Sequence, residues 1–141
     1  MADRICLHAT CVAFEGKGVL LVGKSGSGKS SLALQLMAIG CNLVSDDQTE
    51  LTRRDDVVWA SAPTAIRGMI EARGVGLLNA DVTDAAVTLF VDFDQKEGER
   101  LPRNHEKTIL GLTRPCLHYV DARAFPAAIL QYLKRGRREP Q

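Results

Sequence analysis

Short apolar blocks, broken by glycine or by clustered charge, set the rhythm of this chain, and the first two read as a hairpin. Residues 5–14 (ICLHATCVAF) and 18–22 (GVLLV) are strand-like runs separated by the turn Glu15-Gly16-Lys17. Residues 30–39 (SSLALQLMAI) switch to a helical period, with Leu32, Leu36 and Ile39 on one stripe and Gly40 placed to end the helix in the left-handed conformation. Residues 41–45 (CNLVS) read as a buried strand ending at Asp46-Asp47, so residues 19–45 predict a βαβ-type unit whose carboxylates land beside the segment joining strand to helix. A second hairpin is expected over residues 49–53 and 57–62, around Arg54-Asp55-Asp56, and residues 86–93 (AVTLFVDF) predict a central strand. The polar run 94–107 (DQKEGERLPRNHEK) predicts a mobile loop. Pro126 opens a terminal helix with Ile129, Leu130 and Leu133 inward, and the basic residues after it predict a frayed tail. The expected organisation is one α/β domain over residues 1–135, with a mixed β-sheet, and a tail over 136–141.

Composition narrows this picture only a little. A chain of 141 residues with 45% hydrophobic and 25% charged content suits one core. Lysine plus arginine (18) nearly balance aspartate plus glutamate (17), so no field of one sign points to nucleic acid or an anionic membrane as partner. Cys6, Cys11, Cys41 and Cys116 form no Cys-x-x-Cys pair and no zinc spacing; they read as small buried apolar residues in a reducing compartment. Neither a signal peptide nor a membrane-spanning run is visible, and a cytoplasmic, soluble protein is expected.

Candidate chemistry concentrates at residues 23–30. GKSGSGKS matches G-x-x-x-x-G-K-[ST] in full, directly after an apolar strand and directly before a helix. Such a P-loop lets backbone N–H groups, freed by Gly23, Gly26 and Gly28, curl round phosphate oxygens, with Lys24, Ser25, Ser27 and Ser31 completing the loop and its exit. Lys29 then contacts the β- and γ-phosphates of a nucleoside triphosphate, and the Ser30 hydroxyl can ligate Mg²⁺. The chain has no Asn-Lys-x-Asp for guanine and no Leu-Ser-Gly-Gly-Gln, which leaves a kinase-like or regulatory nucleotide binder. Asp46 and Asp47 are candidates for a metal-held carboxylate and a general base, against the plainer reading of a solvated turn.

Three segments together resemble the catalytic domain of bacterial HPr kinase/phosphorylase: GKSGSGKS, then LVSDD at 43–47, then MIEARGVGLLN at 69–79. Further echoes fall at His8, at Glu99-Arg100-Leu101, and at Ile109-Leu110-Gly111 with Pro115. The resemblance spans residues 8–133. It implies an ATP- and Mg²⁺-dependent kinase for a seryl hydroxyl of an HPr-type phosphocarrier protein, a reverse phosphorolysis yielding pyrophosphate, and a homo-oligomer, hexameric in the family. Carried over by position, Asp47 is the acid/base, Asp46 its neighbour, Ser30 and Glu71 the magnesium ligands, and Lys29 the group that stabilises transferred charge. His8 and Arg100 match further active-site positions, with a plain strand histidine as the other reading of His8. Arg67 and Arg73 are candidate ion-pair partners of Glu71.

Departures from the family pattern are specific. The loop begins at Gly23, where family members first carry a substantial N-terminal domain, so a short form is expected. Lys24 and Ser31 stand where the family commonly has an acid and a glutamate, and the segment serving dephosphorylation, expected at 111–123, matches poorly. A non-catalytic ATP sensor for a partner such as a two-component regulator, and a small-metabolite kinase, are the competing readings.

Overall fold

The computed structural model describes residues 3–138. Its elements, in chain order, are β1 (Arg4–Leu7), β2 (Ala9–Phe14), β3 (Lys17–Val22), α1 (Lys29–Ala38), β4 (Asn42–Ser45), β5 (Thr49–Arg54) and β6 (Val57–Ser61). After a 3-10 turn (Thr64–Ile66) come β7 (Met69–Ala72), β8 (Gly76–Asn79), β9 (Ala85–Lys96), β10 (His105–Ile109), β11 (Leu112–Tyr119) and α2 (Phe125–Arg135). A nine-stranded mixed sheet runs β1-β5-β6-β9-β3-β2-β4, and the β10–β11 hairpin joins it through β11. The short β7–β8 hairpin stands apart as its own sheet.

The sheet branches at β9 because that strand is 12 residues long. One of its edges pairs in parallel with β3. The other pairs with β6 at Ala85 and Ala86 and with β11 from Phe90 onward. Thr88 is skipped in the β3–β9 register, and this bulge resets the alternation so that Leu89 and Val91 lie with Val19 and Leu21 under the helices, while Phe90 lies with Leu20 on the opposite face. The helix-side core adds Leu32 and Leu36 from α1 and Ile129 and Leu133 from α2; the other core collects Cys11, Val44, Leu51 and Val58 where the sheet curls over.

The structure departs from the sequence pattern in instructive places. Residues 5–14 are two strands, broken at His8, because β1 pairs with β5 whereas β2 pairs with β3 and β4. β4 and β5 break at the same level, so Leu7↔Thr49 and Cys11↔Ser45 remain in register while His8 and residues 46–48 leave the strands and Ala9 and Thr10 keep only their pairing to β3. β3, α1 and β4 do form a βαβ unit, but with β2 inserted between its two strands. Ile39 is not on the buried stripe: the helix ends at Ala38, Gly40 turns the chain at φ 122°, and Ala33 takes the inward position. The polar run 94–107 is a loop only over 97–104, since β9 continues to Lys96 and β10 starts at His105. The β10–β11 turn has positive φ at Leu110 and Gly111, the type I′ pattern that suits a tight hairpin. Of the cysteines, three are buried but Cys6 is exposed. The expected tail falls partly outside the described residues. Among the described residues no helix is long and apolar enough to cross a membrane.

Candidate active site

Two ribbons open at one level, and the gap between them faces the loop joining β3 to α1. Gly23, Gly26 and Gly28 all have positive φ, a backbone state that favours glycine. At Gly23 the space is closed as well: a Cβ there would lie 2.8 Å from the Phe93 Cβ. Asp94 fixes the next residue by accepting the Lys24 N–H at 3.1 Å. No side chain caps α1 at Gly28 and no acid occupies its first turn, so its leading N–H groups and positive dipole end are left for an anion. The Ser27 hydroxyl is buried, and among the described residues it has no hydrogen-bond partner.

Lys29 is buried at 5% exposure, and its ammonium donates to the carbonyls of Gly23 (2.6 Å) and Lys24 (2.9 Å). The next residue reaches across to β4: the Ser30 hydroxyl donates to Asp46 Oδ1 at 2.6 Å. Asp46 is also buried, and Thr10 donates to its Oδ1 at 3.2 Å while the Glu71 backbone N–H donates to Oδ2 at 3.1 Å. Asp47 behaves differently. Its φ of 67° turns it out of the strand path, its N–H donates to the Thr10 hydroxyl, and its side chain is 64% exposed. His8, at the facing break, sits 3.3 Å from Asp47 Oδ1 through Nδ1 and 3.1 Å from the Ser25 hydroxyl through Nε2. Nε2 shares a hydrogen bond with the Ser25 hydroxyl, while the Nδ1 contact with Asp47 is one of proximity and charge.

One cavity of about 310 Å³ has Ser25, Gly26, Gly28, Lys29, Ser30 and Ser31 on one wall and Asp46, Asp47, Glu71 and Arg73 on the other, with His8 outside its lining. Three carboxylates therefore face a loop built for anions. An oxygen-only set of Ser30, Asp46 and Glu71 suits a hard dication such as Mg²⁺, which would separate those carboxylates from phosphate.

The fold and the geometry agree with what comparison with known proteins finds. The family model for the HPr serine kinase C-terminal domain matches residues 1–110. The chain belongs to the HPr kinase family. HPr kinase/phosphorylases of Xanthomonas campestris pv. campestris (strain B100) and Xanthomonas oryzae pv. oryzae (strain PXO99A) are each 38% identical over 116 residues, 82% of this chain and 33% of the relative. The chain thus spans about a third of the length of the curated relatives it matches. A solved Hpr(Ser) kinase/phosphatase of Coxiella burnetii superposes with a TM-score of 0.75 at 26% identity, covering 93% of this chain and 88% of that one.

Within this HPr kinase fold, the sequence-nominated residues separate into two sets. The phosphate loop, Asp46, Asp47, Glu71 and His8 converge. Arg100 does not: it is exposed on the 97–104 loop and does not line the cavity. Arg67 pairs with Asp84 at 3.0 Å, and among the described residues neither Arg67 nor Arg73 pairs with Glu71. Sequence reading missed Thr10 and Asp94. Thr10 is an ordinary strand threonine until the break at His8 puts it beside Asp46-Asp47, so only the topology reveals it; Asp94 carried a weak signal, as the acid just past a central apolar strand.

Proposed function

We propose that this chain is an ATP-dependent kinase that transfers the γ-phosphoryl group to a seryl hydroxyl of an HPr-type phosphocarrier protein. The observation that carries the reading is the division of labour between two adjacent carboxylates. Asp46 is buried and holds Ser30, and Asp47 is exposed at the cavity mouth, paired only with His8 among the described residues. A nucleotide binder that did no chemistry would need the loop and its cation but not a second, exposed carboxylate.

The phosphate chain lies against the glycine loop and the N-terminus of α1, and the Lys29 ammonium exchanges its two carbonyl partners for phosphate oxygens. Ser30, Asp46 and Glu71 would hold Mg²⁺, which supplies charge neutralisation for the triphosphate. Asp47 accepts the seryl proton as its oxygen attacks phosphorus, while His8 keeps the carboxylate turned toward the cavity. In the reverse direction the same carboxylate, now protonated, returns a proton to the seryl oxygen as inorganic phosphate attacks the phosphoserine and pyrophosphate leaves. Assembly into a homo-oligomer and a cytoplasmic setting accompany this proposal by family resemblance.

The deciding experiment incubates the purified chain with ATP, Mg²⁺ and an HPr-type carrier, followed by intact-mass detection of a phosphate stable under conditions that hydrolyse phosphohistidine. A stable adduct that Asp47→Asn loses supports the kinase. Nucleotide binding without any adduct would overturn it in favour of an ATP sensor acting on a partner protein.

A further inference from the structure

Away from the phosphate loop, a second group of ligand-forming side chains meets on the sheet's β9-β11-β10 branch. Glu97 directly follows β9, His105 opens β10, and His118 lies near the end of β11. One donor atom from each lies within 4.8 Å of the others, and all three residues are partly buried. We infer that Glu97, His105 and His118 form a site for a first-row transition dication of the zinc class, one that ties both ends of the 97–104 loop to β11.

The donor chemistry differs from that of the phosphate site. Two imidazole nitrogens and one carboxylate oxygen select borderline ions such as Zn²⁺, Co²⁺ or Ni²⁺, whereas the all-oxygen set at Ser30 favours Mg²⁺. His105 Nε2 and Glu97 Oε1 are 2.9 Å apart. Tetrahedral ligands bound at about 2.0–2.1 Å lie about 3.3 Å apart, so a spread of a few tenths of an ångström lets an ion take the place of the proton they share. Glu97 is already oriented for the task. Its other oxygen accepts the Glu99 N–H at 3.1 Å and its own N–H donates to the Tyr119 carbonyl at 2.9 Å, the supporting bonds a ligating carboxylate needs.

His118 supplies the observation that a simple ion pair leaves over. Its ring stacks on His105 with centroids 3.7 Å apart and planes 6° from parallel, yet among the described residues neither of its nitrogens has a hydrogen-bond partner. Loading an ion requires His118 to rotate and its donor to close to roughly 3 Å from the others, a side-chain movement that leaves the strands in place. Of the cations nearby, Lys107 is engaged by Asp92 at 3.1 Å, and Arg137, which lines a pocket with His105, donates to the Asn104 side-chain carbonyl.

Co²⁺ titration of the untagged full chain, read by visible absorption, tests the site without reference to catalysis. One equivalent should bind with ligand-field bands and no thiolate charge-transfer band, and affinity should fall at least ~10-fold in both His118→Gln and Glu97→Gln, checked for folding by circular dichroism. Zn²⁺ should also slow trypsin cleavage after Arg100 and Arg103 in the native chain, a protection that a chelator reverses and His118→Gln lacks. The inference is overturned by the absence of saturable one-equivalent uptake, by uptake that survives both substitutions, by uptake lost in Asp46→Asn, by a thiolate band, or by binding that leaves cleavage unchanged.

Discussion

The phosphate-loop end of the sheet and the branch that carries β10 and β11 are built by different means. At the first, eight consecutive residues specify the loop, and a short, local set of bonds fixes Lys29 and Ser30. At the second, Glu97, His105 and His118 meet only because β9 is long enough for β11 to pair beyond β6 on the same edge, with β10 folded back on β11. Local specification leaves a readable motif; assembly by topology leaves scattered residues.

The largest test of this contrast is Lys29→Ala. Phosphoryl transfer should be abolished and nucleotide affinity should drop steeply in a calorimetric titration, with the fold retained; loss of structure instead would mean that the lysine chiefly holds the loop together through its carbonyls. Asp47→Asn comes next, costing ~10² or more in rate at unchanged nucleotide affinity, the usual scale for a general base. Equal losses in binding and rate would return Asp47 to a structural role in the turn. Glu71→Gln should raise the magnesium concentration needed for half-maximal rate by about 10-fold, and an unshifted titration would remove it from the metal set. Smallest of all, Arg100→Ala should leave ATP affinity within about 0.5 kcal/mol of the native value, as expected for an exposed residue outside the cavity. A tenfold loss would join the two regions into one site.

Most of the layout could be read in the chain. The βαβ unit, the second hairpin, the central strand and the terminal helix follow from period and punctuation, and GKSGSGKS forms the glycine-turned loop between β3 and α1 that its spacing predicts. The paired breaks at His8 and at Asp46-Asp47-Gln48 could not be read, because a strand that changes partners keeps its alternation while its neighbours change. β10 and β11 were hidden for another reason: HEKTI is polar, Pro115 lies within β11, and their turn uses Leu110 in place of the usual asparagine or aspartate. Asp46 and Asp47 were nominated as a pair, but their separate surroundings depend on a φ of 67° that residue type alone did not signal.

One strand carries Phe93 against Gly23, then Asp94 against the Lys24 amide, and runs on to Lys96 just before Glu97. Because neighbouring residues on a strand face opposite ways, deleting a single residue between Asp94 and Glu97 would reverse the side to which Glu97 projects while leaving the phosphate loop untouched. This stretch should therefore accept many exchanges of residue type and resist insertions and deletions, so that relatives sharing the Glu97 and His118 pair should keep the spacing from Asp94 even where the intervening letters differ.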